Sequence, residues 1–410
     1  MNKNIWFIAG AFGLTVPGLV LRFTALHVGP PIEAFVYGLA IVGAAFLLAW
    51  GAEVAQEDIP RALALTVLAL IAVLPEYAVD MVFTWQAASD PARYGPLALA
   101  NMTGANRLLI GVGWPFVVLI FCWRSARAGR PVGGIVLDQD QGVELVFLGI
   151  ATLYSFLIPI KGQLDLFDLA VLLAIFSLYA YRVSKAEHVE PELIGPAKVV
   201  GELRPGLRRL VTIGFFLFSG AVIFLVAHEF ADALVQSGTQ LGINERVLVQ
   251  WLAPLASEAP EFIITALFAW RLIATASLGA LLSSKVNQWT LLVGTLPLVF
   301  NLASYFLGHP VPTHLPLDAT QRLDLLLTSA QSLFAVAVIA NLHMSLREAG
   351  LVFGLFAIQL VLSGFERIAD ETQIVITVIY LVLAVGLLVR NRASLPTLIR
   401  TLRKASPAGG

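Results

Sequence analysis

The sequence predicts an all-α, polytopic membrane protein of about twelve transmembrane helices, built as two inverted five-helix repeats plus one extra helix at each end. Three observations predict it. Of 410 residues, 58% are hydrophobic and only 13% charged, with a mean hydropathy of +0.83, whereas soluble domains carry about 25% charged residues. Apolar runs long enough to cross a bilayer recur along the whole chain. Two of them carry the same interruption, Pro-Glu, in corresponding places: LIAVLPEYAVD (Leu70 to Asp80) and WLAPLASEAPE (Trp251 to Glu261).

Taken in order, the runs predict first-half helices over about 5–27, 32–55, 60–88, 94–123, 142–160 and 165–184. Second-half helices are predicted over about 209–236, 245–272, 276–306, 321–344, 349–365 and 372–390. Gly, Pro or charge bounds each run, where a helix stops or leaves the hydrocarbon. The first, MNKNIWFIAGAFGLTVPGLVL, has one lysine before its apolar run and no small-residue cleavage site, so it reads as a retained helix rather than a signal peptide. The hydrophilic interval KAEHVEPELIGPAKVVGELRPGLRR reads as a linker between halves. The chain thus divides into an extra N-terminal helix (1–31), a first repeat (32–184), a linker (185–208), a second repeat (209–365) and an extra helix with a basic tail (366–410).

A net charge of -1 and a pI near 6.6 give no polybasic surface of the kind nucleic acid requires. The single cysteine, Cys122, excludes an internal disulfide and a cysteine metal cluster. Lys and Arg are unevenly distributed. With both termini cytoplasmic, the inner loops collect Arg124, Arg127, Arg130, Lys185, Lys198, Arg204, Arg208, Arg209, Arg390, Arg392, Arg400, Arg403 and Lys404. The opposite loops hold single cations such as Arg93, Lys161, Arg246 and Arg367. That asymmetry predicts both ends inside, in a prokaryotic inner or plasma membrane.

A Pro-Glu pair at membrane depth is costly twice over. Proline removes a backbone donor and clashes with the preceding turn, and an ionised carboxylate in hydrocarbon costs about 3 kcal/mol or more. Both copies nevertheless share one plan. LLAWGAEVAQ precedes Pro75-Glu76, and LALANMTGANRLLIGVGWP follows it; FLVAHEFADALVQSGTQLGI precedes Pro260-Glu261, and GALLSSKVNQWTLLVGTLP follows it. Five helices per copy is an odd count, so the second copy inserts upside down relative to the first, and inverted repeats bring broken helices together near the midplane.

These residues resemble the calcium/cation antiporter superfamily, which includes the sodium/calcium exchangers. Its two inverted repeats carry G-T-S-L-P-E followed by L-G-N-x-x-G-S-N. Leu74-Pro75-Glu76 with Ala100-Asn101-Met102-Thr103-Gly104-Ala105-Asn106 is similar to the first repeat, and Ala256-Ser257-Glu258-Ala259-Pro260-Glu261 with Ser283-Ser284-Lys285-Val286-Asn287 to the second. The resemblance implies that Glu76 and Glu261 are the central cation ligands, joined by Asn101, Ser283 and Asn287. It also implies calcium, or a similar cation, as the transported ion, with no cofactor. Protons or sodium would be the countercation.

Six positions depart from the pattern. The Thr-Ser that helps form the family's sodium sites is Ala72-Val73 here, which favours protons over sodium. Asp80 lies at i+4 from Glu76 and Glu258 at i−3 from Glu261, each pair on one helix face. Lys285 replaces the glycine of the second motif and Arg107 follows the first. Asp80, Glu258, Lys285 and Arg107 therefore read as coupling or counter-ion groups: an entering cation competes with Lys285 and with protons on Asp80 or Glu258. Lysine can shed its proton when desolvated, while arginine effectively cannot. The expected function is secondary antiport by alternating access. The competing readings are an antiporter-fold protein neutralised by Lys285 and Arg107 that senses or binds, and an intramembrane enzyme. Against the enzyme, no H-E-x-x-H, P-loop, G-x-S-x-G or Rossmann signature occurs in a suitable context.

Overall fold

A computed structural model describes residues 3–24, 26–58, 73–185, 193–309, 314–363 and 369–404. Ala72 and the rest of 60–72 in the third predicted helix, linker residues 186–192, Arg367, and the tail from 405 lie outside the described residues.

Each of the twelve predicted segments coincides with helix among the described residues. The first half holds α1 (Lys3–Thr24), α2 (Pro30–Ala55), α3 (Leu74–Ser89), α4 (Pro91–Leu108), α5 (Trp114–Arg127), α6 (Gly142–Ser155) and α7 (Leu166–Val183). The second holds α8 (Pro205–Leu241), α9 (Glu245–Trp270), α10 (Ala274–Asn287), α11 (Val293–Phe306), α12 (Ala319–Val338), α13 (Leu346–Ser363), α14 (Ala369–Arg390) and α15 (Leu395–Lys404). α4 runs into α5 through a π-helical turn, Leu109–Gly113, and α10 into α11 through another, Gln288–Leu292. Among the described residues, ten helical stretches are long and apolar enough to cross a membrane. This is an all-α integral membrane protein.

Local chemistry explains the boundaries. Asp90 starts α4 by accepting the backbone N–H of Arg93 at 3.2 Å, with Pro91 in the first turn, where its missing donor costs nothing. Asp165 and Asp168 form a capping box at α7, and Asp318 and Gln321 form one at α12. Gly162 and Gly242, both left-handed, close the helices before them.

Internal packing divides the chain into two compact units, Met1–Phe83 with Glu187–Pro260, and Thr84–Ala186 with Glu261–Gly410. Each unit draws on both sequence halves, so packing units and repeats are different partitions of the chain. In the first unit α2 packs along α8 and α1. Small residues permit it: a Cβ on Gly43 would lie 2.5 Å from the Ala11 carbonyl oxygen. Beyond the end of α2, Asp58 takes hydrogen bonds from Arg208 at 2.8 and 2.9 Å and from Arg209 at 2.9 Å. The Arg208 guanidinium above all, helped by Arg209, holds the Asp58 carboxyl at about 2 against the opposing effect of burial.

In the second unit α12 packs against α14, α6 and α4, α13 against α5, and α7 against α11. α12 turns polar residues inward: Gln321, Asp324, Thr328, Ser329, Gln331 and Ser332 are all buried. Two short antiparallel ladders join loops of this unit. Ile135–Val136 (β1) pairs with His343–Met344 (β4), and Gln163–Asp165 (β2) with His314–Pro316 (β3).

Candidate functional site

The two Pro-Glu pairs sit differently in their helices. Pro75 and Glu76 lie in the first turn of α3, where proline is tolerated, and Tyr77 N–H bonds Val73 O at 3.0 Å. Pro260 lies inside α9, which continues through both Pro254 and Pro260. The expectation of a broken second helix is therefore corrected: α9 stays helical, and proline only deprives the Ala256 carbonyl of its usual i+4 donor. Ser257 bonds the Ala253 and Pro254 carbonyls at 3.3 and 3.2 Å, and Thr265 bonds the Glu261 carbonyl at 2.7 Å. Side-chain hydroxyls thus absorb some of the carbonyl capacity around the prolines.

Glu76 and Asp80 are buried one turn apart on α3, and Glu258 is buried on α9, three residues before Glu261. Glu261 is half-buried, and its Oε2 accepts the Ser284 hydroxyl of α10 at 3.0 Å. Ser283 turns elsewhere: its hydroxyl accepts from Tyr179 of α7 at 3.2 Å and bonds the Glu144 carboxylate of α6. Of the two serines, the one touching the Pro-Glu acid is Ser284. Asn101 is buried on α4. Asn287 is buried at the end of α10, and its amide oxygen accepts no hydrogen bond from the described residues.

Both intramembrane cations are fully buried in the second unit. Lys285 Nζ lies 2.5 Å from Asn106 Oδ1, 3.3 Å from the Asn106 carbonyl oxygen and 4.4 Å from the Trp289 ring centroid. Arg107 donates to Thr103 O at 3.2 Å and Thr103 Oγ1 at 3.4 Å, and stands 3.7 Å from Asp324. Gln373 of α14 donates to the same Asp324 oxygen at 3.0 Å. Asp324 and Gln373 had no motif to announce them, since each lies in the first turns of its helix, where a polar residue reads as a membrane boundary.

Other titratable side chains on neighbouring helices and loops are less buried. Glu229 pairs with Arg22 at 3.3 Å and His228 with Asp232 at 3.4 Å, all partly exposed. Glu53 is partly buried on α2, and His309 is exposed.

Comparison with known proteins extends this picture. No curated protein sequence matches the chain. Its fold is similar to that of the H+/Ca2+ exchanger CAX, with a TM-score of 0.90, 39% identity, and 98% of each chain covered. It is also similar to the Ca2+/H+ antiporter protein YfkE, with a TM-score of 0.60, 14% identity, and 85% of this chain and 98% of that one covered. The sodium-calcium exchanger NCX_Mj gives a TM-score of 0.52 at 15% identity, covering 80% of this chain and 97% of that one. The family model described as sodium/calcium exchanger protein matches residues 33–185 and again 211–365. Two matches to one model, one in each half and together spanning most of the sequence, place this chain in the sodium/calcium exchanger protein family.

Proposed function

We propose that the protein exchanges calcium, or a similar divalent cation, for protons by alternating access, with Glu76 and Glu261 as the principal cation ligands. The observation that carries this reading is 39% identity over 98% of both chains to a protein named as an H+/Ca2+ exchanger. Oxygen-rich surroundings support the divalent cation, since a hard ion wants carboxylate, amide and hydroxyl oxygens. Asn101 and Asn287 offer amide oxygens, and Ser284 orients the Glu261 carboxylate.

Val73 brings no side-chain oxygen to the turn before Glu76, which favours protons over sodium as the countercation. Asp80 and Glu258 accompany the two ligands as proton-accepting groups. Arg107, committed to Asp324 at 3.7 Å, serves as a structural cation. Residues 32–184 and 209–365 act as the two inverted repeats, and both termini lie in the cytoplasm of a prokaryotic cell.

Calcium uptake into proteoliposomes, with proton and sodium gradients imposed separately, tests the proposal. Uptake is expected under the proton gradient and absent under sodium alone, and Glu76→Gln or Glu261→Gln should reduce it to background. Calcium flux under neither gradient would instead favour a protein that binds or senses the ion.

A further inference from the structure

We propose that the Lys285 ammonium permanently fills a monovalent-cation position and thereby keeps sodium out of the exchange cycle. The inference rests on the reading of the chain as a cation exchanger and adds a residue that sets which countercation is used. Lys285 is completely buried. Its Nζ lies against the side-chain and main-chain oxygens of Asn106, at 2.5 and 3.3 Å, and over the face of Trp289 at 4.4 Å. Two amide-type oxygens and an aromatic face attract a small monovalent cation of any source, whereas a neutral amine gains little from a π face.

The placement ties this ammonium to the transport machinery. Asn106 closes the small-residue motif of the first repeat, and Lys285 stands where the second repeat's motif calls for glycine. On α10 the residue just before it, Ser284, holds Glu261 at 3.0 Å. Adjacent residues of one helix thus serve a cation-binding carboxylate and a fixed positive charge. Removing the lysine side chain would open space beside both Asn106 oxygens and take from the side-chain oxygen its ammonium donor. That space favours a replacement cation.

Purified Lys285→Gly and Lys285→Ser variants in detergent test this, with thermal unfolding followed in sodium, methylammonium or choline chloride at equal ionic strength. Both variants should be stabilised by sodium and methylammonium, saturably and relative to choline. Wild type, and Lys285→Met, which fills the space without charge, should not respond. In proteoliposomes the Lys285→Gly variant should gain calcium uptake driven by a sodium gradient. Absence of sodium- or methylammonium-dependent stabilisation in both small variants overturns the inference. Recovery of both only as aggregates, even when prepared in those cations, overturns it equally. The binding readout needs no transport, so it is judged separately from proton-driven uptake by wild type, on which the exchange reading stands or falls.

Discussion

Ser283 and Ser284 show what one helical step decides. A helix turns about 100° per residue, so neighbours cannot serve the same partner. Ser284 reaches Glu261, while Ser283 faces Tyr179 and Glu144. A hydrogen bond to a charged group is worth about 1.5–3 kcal/mol, part of which solvent or a neighbouring group will replace. Ser284→Ala is therefore expected to raise the KM for calcium by about 3- to 10-fold with little change in maximal rate. Ser283→Ala should move KM less than about twofold. Concentration series of calcium uptake check both, and a larger KM effect from Ser283 would show that the wrong hydroxyl had been assigned. The motif pointed to a hydroxyl in this stretch, and the sequence likewise pointed to Glu76, Glu261, Lys285 and Arg107. Which serine faces the acid depends on the rotational phase of α10, which sequence spacing alone leaves open.

At the scale of elements, hydropathy made most of the segments legible, because spanning a bilayer demands about 20 apolar residues in a row, and ten described helices meet that demand. The π turns were not legible. Leu109–Gly113 and Gln288–Leu292 each follow closely on a small-residue motif, after Asn106 and Asn287, and each precedes a proline, Pro115 or Pro297. Nothing in residue type distinguishes such a turn from ordinary helix, yet it rotates every later side chain on its helix. One consequence is the approach of Phe356 to Gly111, where an added Cβ would lie 2.2 Å from the ring. The polar face of α12 was hidden for a different reason. Asp324 finds its partners, Arg107 and Gln373, 217 and 49 positions away. Through Gln373 the extra helix α14 is joined to the repeat core. Breaking a buried pair by removing one partner costs about 3–5 kcal/mol, because the other charge is left uncompensated. Arg107→Leu and Asp324→Leu should each destabilise the purified protein by that order, and the double variant by clearly less than the sum. Additive losses in thermal unfolding would mean that the 3.7 Å separation carries no coupling.

For the whole molecule, orientation in the membrane is the property that loop charges and loop pairing decide together. In the second unit, β1 pairs with β4, which brings the loop after Arg124 and Arg127 beside the one before Arg347. β2 pairs with β3, joining loops in which Lys161, between Asp165 and Asp168 at 3.0 and 2.7 Å, is already matched by acids. In the first unit, Asp58 binds Arg208 and Arg209, so the end of α2 and the start of α8 share one level. Arg124, Arg127 and Arg347 on the β1–β4 side of the second unit, and Arg204, Arg208 and Arg209 at the start of α8, are the cations that the positive-inside rule would put on the cytoplasmic face. In the proposed orientation, chain alternation would leave both termini inside. The only native cysteine, Cys122, is buried, so single introduced cysteines report on loops without background from a second exposed thiol. Val136, in β1, and His309, before β3, are both exposed. A membrane-impermeant maleimide should label His309→Cys in intact cells, and Val136→Cys only after the membrane is opened. The reverse pattern would turn the whole topology over.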